Sequence, residues 1–168
     1  NISKFVPKKN HKFMVELAAE LKKHEIDFEL TFIGEGPLKE KMKELAIKLE
    51  CENKINFVGN VKGVNKLLAK SDIYIHSASY EPFGLVLLEA MASKLPVVCL
   101  DGGGNRDVID QGKNGYILDV SDINLFIDYI LKIVSDKHIY ESMSEYAYLF
   151  SKKFDIDMYV KKLIELYL

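Results

Sequence analysis

The chain has 168 residues, 48% hydrophobic and 29% charged, with a formal net charge of −2. This suits about one domain with a buried core, and the near-neutral balance excludes attraction to nucleic acid or membrane by bulk charge. Basic charge is almost all lysine, Arg106 being the only arginine, which argues against a surface built for bidentate phosphate or base readout.

Met14, Leu17, Ala18 and Leu21 recur at helical spacing and predict an amphipathic helix over residues 10–24. FELTFIG, residues 28–34, reads as a buried strand ending in GEGP, a turn whose Pro37 suits the first position of a helix. That helix carries Leu38, Met42, Leu45, Ala46 and Leu49 on one face. INFVG (55–59) is a second strand, residues 64–70 a short helix, and DIYIHS (72–77) a third strand. A helix opens near Phe83 or Gly84, followed by the strand LPVVCL (95–100). Gly102 to Gly104 break the chain before another short helix, and GYIL (115–118) is a last strand. The remainder is helical, with one stripe at Phe126, Tyr129, Ile130, Ile133 and Val134 and another at Val160, Leu163, Ile164, Tyr167 and Leu168.

Apolar strands alternating with helices predict an α/β fold: one doubly wound, Rossmann-like domain over residues 1–168, its parallel sheet covered on both faces. Such folds bind ligands outside the carboxyl ends of the strands, where strand order reverses. The segments to inspect are therefore residues 34–37, 59–61, 76–84 and 101–106, with 4–10 following a strand largely missing from the chain. Cys51 and Cys99 lack metal-type spacing and read as free thiols of a reducing compartment. No apolar run reaches the ~18 residues of a membrane span. A chain opening on Asn1 reads as a piece of a longer protein.

The stretch YEPFGLVLLEAMASKLPVV, residues 80–98, concentrates the chemistry. Its helix is apolar nearly all round and is expected inside the protein, yet Glu89 sits in its middle and Glu81 just before its first turn. A buried carboxylate is costly unless hydrogen-bonded. The start of this helix offers backbone N–H groups and a positive dipole to an anion, and Gly84 permits close approach. Glu89 lies roughly 7–8 Å further along the axis at 1.5 Å per residue. A ligand with a central diphosphate and a hydroxyl-rich group at either end would fit, since carboxylates accept from hydroxyls. A nucleotide sugar has that anatomy.

Glu81, Phe83, Gly84, Leu87, Glu89, Ala90, Met91 and Ala92 resemble the Glu-x7-Glu signature of retaining glycosyltransferases with the two-domain B-type fold, above all the large fourth family. SKFVPKKNH, IGEGPLKEKM, GNVKGVNKLL, DIYIHSASYEPFG and GGGNRDVIDQGKNGYIL fall in register with it along essentially the whole chain. The resemblance implies the carboxyl-terminal, donor-binding half of such an enzyme, cytoplasmic or at the inner membrane face; lysine-rich, arginine-poor usage points to a bacterium, where such enzymes often build surface glycans. Glu81 would contact the donor sugar and Glu89 the ribose, while Lys4 and Lys9 take the places of an arginine and a lysine that neutralise the diphosphate. Lysine at position 4 lacks the planar fork of arginine. The loop near Val61 would touch the base, and the amides of Phe83, Gly84 and Leu85 the phosphates. A glycan or lipid-linked acceptor would bind an amino-terminal half absent here, with no nucleic acid partner.

Competing readings stand beside these. Glu89 could pair with a lysine or a helix end, and Gly103, with its neighbours Gly102 and Gly104, could line a sugar pocket or only make a turn. Gly34 and Gly36 read as a helix-starting turn, His76 as packed or backbone-bonded, and His11, His24 and His138 as surface residues. Asp155 and Asp157 mimic a metal-binding Asp-x-Asp, but Asp157 suits the N-cap of the last helix. No metal or cofactor is expected. A nucleotide-sugar epimerase or phosphorylase of the same architecture, a non-catalytic nucleotide-binding module and a receiver-like domain are the alternatives.

Overall fold

The computed structural model describes residues 1–155, 160, 164 and 165. Five parallel strands alternate with helices, as the apolar runs predict. The order is α1 (His11–Lys23), β1 (Leu30–Ile33), α2 (Lys39–Lys48), β2 (Ile55–Gly59), α3 (Asn65–Leu68), β3 (Tyr74–His76), α4 (Leu85–Ala92), β4 (Val97–Leu100), β5 (Gly115–Leu118), α5 (Ile123–Val134) and α6 (Lys137–Ser151). A 3₁₀ turn, Gly104–Asp107, stands where a short helix is expected after the glycine run. Strands β1 and β3 are shorter than predicted because pairing begins only at Leu30 and Tyr74.

The strands pair as β1-β2 and as β3-β4-β5, all parallel. Residues 1–3 lie between these two groups. Ile33 N–H donates to Asn1 O at 2.8 Å and Ser3 N–H to Ile33 O at 3.0 Å, a parallel ladder on β1. On the other side, Asn1 Nδ2 donates to Ile75 O at 3.0 Å and Ile2 N–H to the Tyr74 hydroxyl at 3.0 Å. The chain thus leaves its first segment toward β1 and β2 and later returns to build β3 to β5 on the opposite side. The reversal of strand order falls at this segment, the crevice where such folds bind ligands.

Two apolar cores flank the sheet. One joins Val98, Leu100, Tyr116 and Leu118 to α1, α2 and α5; the other joins Tyr74, Val97 and Cys99 to α4 and α6. Alternate residues of β4 thereby serve opposite faces, which is why that strand is buried throughout. Asp122 caps α5 through Leu125 N–H and Asp136 caps α6 through His138 and Ile139 N–H, each cap stabilising its helix by about 1 kcal/mol. The predicted stripe at 126–134 lies on α5, where Phe126, Ile130 and Ile133 are buried. Helix α6 had no stripe of its own to announce it, since its buried face is Met143, Ser144 and Ala147. Asp157, Leu163, Tyr167 and Leu168, the expected cap and most of the last stripe, lie outside the described residues.

Two expectations are corrected. Helix α4 is not enclosed: Leu85 is 66% exposed, and Glu89 and Ala92, on the same face, are exposed as well. Its buried face is Leu87, Leu88, Ala90 and Met91. His11 is not a surface residue but 2% exposed, its ring stacked on Phe5 at 4.0 Å. Cys51 and Cys99 are both free and buried.

Gly34 and Gly36 do more than begin a helix. A Cβ on Gly34 would lie 2.1 Å from Ser3 O, and one on Gly36 2.6 Å from Phe5 O, so both glycines let residues 3–5 pass against the backbone after β1. A cleft of ≈ 740 Å³ opens at the opposite, amino edge of the sheet, between Phe28–Thr31 and Asp72–Ile75.

Candidate functional site at the carboxyl edge of the sheet

Three loops meet beyond the carboxyl ends of the strands. The loop after residues 1–3 is tied to the loop after β3: Ser79 N–H donates to Lys8 O at 2.9 Å, and the Ser77 hydroxyl bonds Lys9 O and Asn10 O, each at 3.0 Å. The loop after β3 is tied in turn to the loop after β4. Glu81 N–H donates to Gly102 O at 2.7 Å, and Gly104 N–H donates to Glu81 O at 2.8 Å. Added Cβ atoms would lie 2.8 Å from Glu81 Cβ at Gly102 and 2.1 Å from Pro82 O at Gly104. These two glycines are therefore required by contact with the Glu81 segment. Gly103, between them, faces open space at φ +98° and gives its N–H to Asp101 Oδ1 at 2.8 Å.

This scaffold brings Glu81 and Lys9 together. Lys9 Nζ lies 2.5 Å from Glu81 Oε2, with both side chains mostly shielded from solvent, at 16% and 13% exposure. The same oxygen lies 3.2 Å from Nε2 of His76, which is fully buried at the end of β3. The His76 hydrogen bond, with the lysine ammonium beside it, outweighs burial and holds the Glu81 carboxyl down at about 2. Glu81 is a fixed anion at neutral pH. Burial pushes the His76 imidazole below its ordinary value despite the pull of Glu81, so its neutral form is favoured.

Immediately after Glu81, Gly84 adopts φ +80°, ψ +38° and opens α4 with no side-chain cap. Buried Asn105 donates through Nδ2 to Leu100 O at 2.7 Å; its Oδ1 has no partner among the described residues and sits 3.2 Å from where a Gly84 Cβ would be. Phe83, Leu85 and Tyr80 are exposed around this helix start, and Lys8 Nζ stands 5.6 Å over the Tyr80 ring. Glu89 is exposed one turn up the Leu85 face and forms no ion pair among the described residues.

Not every expected residue joins this cluster. Lys4 is exposed and forms no ion pair among the described residues. Val61 is half-buried on the loop after β2. Arg106 is engaged by Asp101 at 2.6 Å and Asp119 at 2.5 Å. No group of three or more His, Cys, Asp or Glu side chains with metal-binding geometry occurs among the described residues, and no helix there is long and apolar enough to cross a membrane. His76, Ser77 and Ser79 lie in the segment 76–84 that the strand end marks for inspection, but nothing in the sequence gave them a part in building the site.

Residues 1–150 match the family described as glycosyl transferases group 1. N-acetyl-alpha-D-glucosaminyl L-malate synthase of Bacillus anthracis is 35% identical over 123 residues, 73% of this chain and 32% of that protein. Poly(ribitol-phosphate) alpha-N-acetylglucosaminyltransferase of Staphylococcus aureus is 31% identical over 137 residues, 81% and 28% of the two lengths. A crystal structure of a TarM variant from S. aureus with fondaparinux, alpha-GlcNAc-glycerol and UDP aligns with a TM-score of 0.88 and 28% identity, covering 99% of this chain and 34% of that one. The chain spans about a third of the length of these relatives.

Proposed function

The chain belongs to the glycosyl transferases of group 1, and from that premise we propose that it forms the carboxyl-terminal, donor-binding half of a retaining glycosyltransferase. The donor is a nucleoside-diphosphate sugar, and an amino-terminal half supplies the acceptor site. The observation that carries this reading is the ionised Glu81, paired with Lys9 directly before the uncapped start of α4. The presence of UDP in the TarM complex supports a nucleotide donor.

In this reading the diphosphate meets the amides of Phe83, Gly84 and Leu85, where the helix dipole favours an anion. Glu89, exposed further along the same face, accepts from the ribose, and the Val61 loop borders the base. Lys9 exchanges part of its contact with Glu81 for the phosphates and stabilises the leaving group. Lys4, exposed on the same loop, adds positive charge, and Gly103 leaves open space beside the sugar.

The ionised Glu81 suits an electrostatic role better than acid–base work. A general acid or base works best with a pKa near the operating pH, whereas this carboxyl is held at about 2. It therefore orients the sugar and stabilises positive charge developing at the anomeric carbon. The proton of the acceptor hydroxyl passes to the departing phosphate oxygen on the same face, which retains the anomeric configuration. The chemistry asks for no metal or cofactor, and membrane contact, where the acceptor is lipid-linked, belongs to the other half.

The test offers the full-length enzyme a panel of nucleotide sugars and separates products by chromatography. One donor should be consumed with retention, and Glu81→Gln should lower kcat by about 10²–10³ while the protein stays folded. Turnover unchanged in Glu81→Gln, or a product of inverted configuration, would refute the reading.

A further inference from the structure

Behind Glu81 runs a chain of hydrogen bonds that reaches from the carboxylate into the core, and its proton directions can be read from geometry alone. Asn1 Nδ2 lies 3.0 Å from the Ile75 carbonyl, which can only accept, so the amide nitrogen faces β3 and the amide oxygen faces Ser3. The same Nδ2 lies 3.3 Å from His76 Nδ1. An amide nitrogen only donates, so His76 Nδ1 is the acceptor and carries no proton. The single N–H of the neutral ring is then on Nε2, aimed at Glu81 Oε2 3.2 Å away.

The inner end of the chain fixes Asn1. The Ser3 hydroxyl gives its one proton to Asn1 Oδ1 at 2.8 Å and so receives one from His11 Nε2 at 2.9 Å. His11 Nδ1, buried without a partner among the described residues, is the bare nitrogen of that ring. Every donor therefore points toward Glu81: His11 to Ser3, Ser3 to Asn1, Asn1 to His76, His76 to the carboxylate. A doubly protonated His76 would set an N–H against the N–H of Asn1, so the arrangement also excludes the imidazolium.

We propose that His76 is a positioning residue for Glu81, locked in its Nε2–H tautomer by the Asn1–Ser3–His11 chain. The inference rests on the donor-site reading above and assigns this residue a task within it. Lys9 and His76 both hold Oε2, which anchors the carboxylate through that oxygen and leaves Oε1 for the donor sugar. When a diphosphate draws Lys9 away, His76 is the anchor that stays. Its neutrality matters as much as its position: a hydrogen bond from an uncharged donor orients the carboxylate and leaves its full negative charge for the sugar, whereas a second cation would cancel it.

Two measurements on the full-length enzyme test this. The first is ¹⁵N spectroscopy of histidine-labelled protein, with the His76 signal assigned by its loss in His76→Gln. It should show a protonated Nε2 and a bare Nδ1 at neutral pH. The second is steady-state kinetics of His76→Leu and His76→Gln. Losing a hydrogen bond to a charged group should lower kcat of His76→Leu by about 10–100-fold with donor KM nearly unchanged. His76→Gln, whose amide can donate from the same place, should regain most of that loss. A purely structural histidine would show no such recovery.

A protonated Nδ1, a charged ring at neutral pH, wild-type kcat in His76→Leu, or no rescue by His76→Gln would each overturn the proposal. Should His76→Leu fail to fold, the wild-type tautomer still decides. A wild-type enzyme inert toward every nucleotide sugar would instead refute the donor-site reading, and the tautomer would then decide the hydrogen-bond chain by itself.

Discussion

Lys9 and Glu81, 72 residues apart in sequence, meet at 2.5 Å across two loops that are themselves laced together by backbone hydrogen bonds. Lys4, only five residues before Lys9, has no such anchorage among the described residues. The two lysines therefore make an uneven pair at the candidate site. Lys9→Met should lower kcat/KM of the full-length enzyme by about 10²-fold or more, because a shielded carboxylate loses its cation and the leaving group its charge partner. Lys4→Met should cost less than about 10-fold, as expected for an exposed charge. Equal losses from the two substitutions, read from initial rates, would show that Lys4 does work the structure does not display.

The glycine run separates contact from conformation. Gly104→Ala places a Cβ 2.1 Å from Pro82 O and 2.3 Å from Pro82 C, both backbone atoms that cannot step aside alone. It should destabilise the protein by roughly 2–4 kcal/mol and displace Glu81, with activity lost accordingly. Gly103→Ala meets no atom within 4 Å and carries only the strain of φ +98°, about 1–2 kcal/mol. Thermal denaturation of the two variants should rank them in that order; the reverse order would mean that the Glu81 loop is not strapped as described.

Acid sensitivity should begin with histidines rather than carboxylates. Burial pushes His11 down to about 4, and burial lowers His76 as well. Between about pH 6.5, the ordinary histidine value, and pH 4 the unfolded chain binds protons that the folded one refuses. Stability is therefore complete above that window and falls as pH drops through it, by up to about 1.4 kcal/mol per pH unit for each histidine. Glu81 adds a second loss from about pH 4.5 down to about 2, since its folded value is depressed. His11→Phe, which keeps a ring against Phe5, should flatten the fall in Tm between pH 6.5 and 4. An unchanged slope in that variant would count against a neutral, buried His11.

Much of this architecture was open to inspection in the sequence. The strands are parallel and covered on both faces, so they appear as plain apolar runs, and the turns between them carry glycine or proline. Helix α4 misled for a physical reason. Hydrophobicity marks a surface withheld from water but not what withholds it, and Leu85 faces open space beside the candidate site rather than the core. His11 was misread because a polar residue on an amphipathic helix ordinarily faces solvent, while its burial depends on Phe5 and Ser3 folding back over it. The meeting of Lys9, His76 and Glu81 could not come from spacing, because it depends on two loops converging at the reversal of strand order. The resemblance to a family supplied Lys9; Glu81 stood out already as an acid before a helix start, and His76 only by its place at the end of a strand.

Chemical-shift mapping of the protein with uridine and guanosine diphosphates asks where a nucleotide sits. The amides of Phe83, Gly84 and Leu85 and the Val61 loop should move with one of them, and Glu89→Ala should weaken that response about 10-fold or more. Shifts gathered instead around Phe28–Thr31 and Asp72–Ile75, at the cleft on the amino edge, would place the nucleotide on the wrong side of the sheet and contradict a donor site built on Glu81.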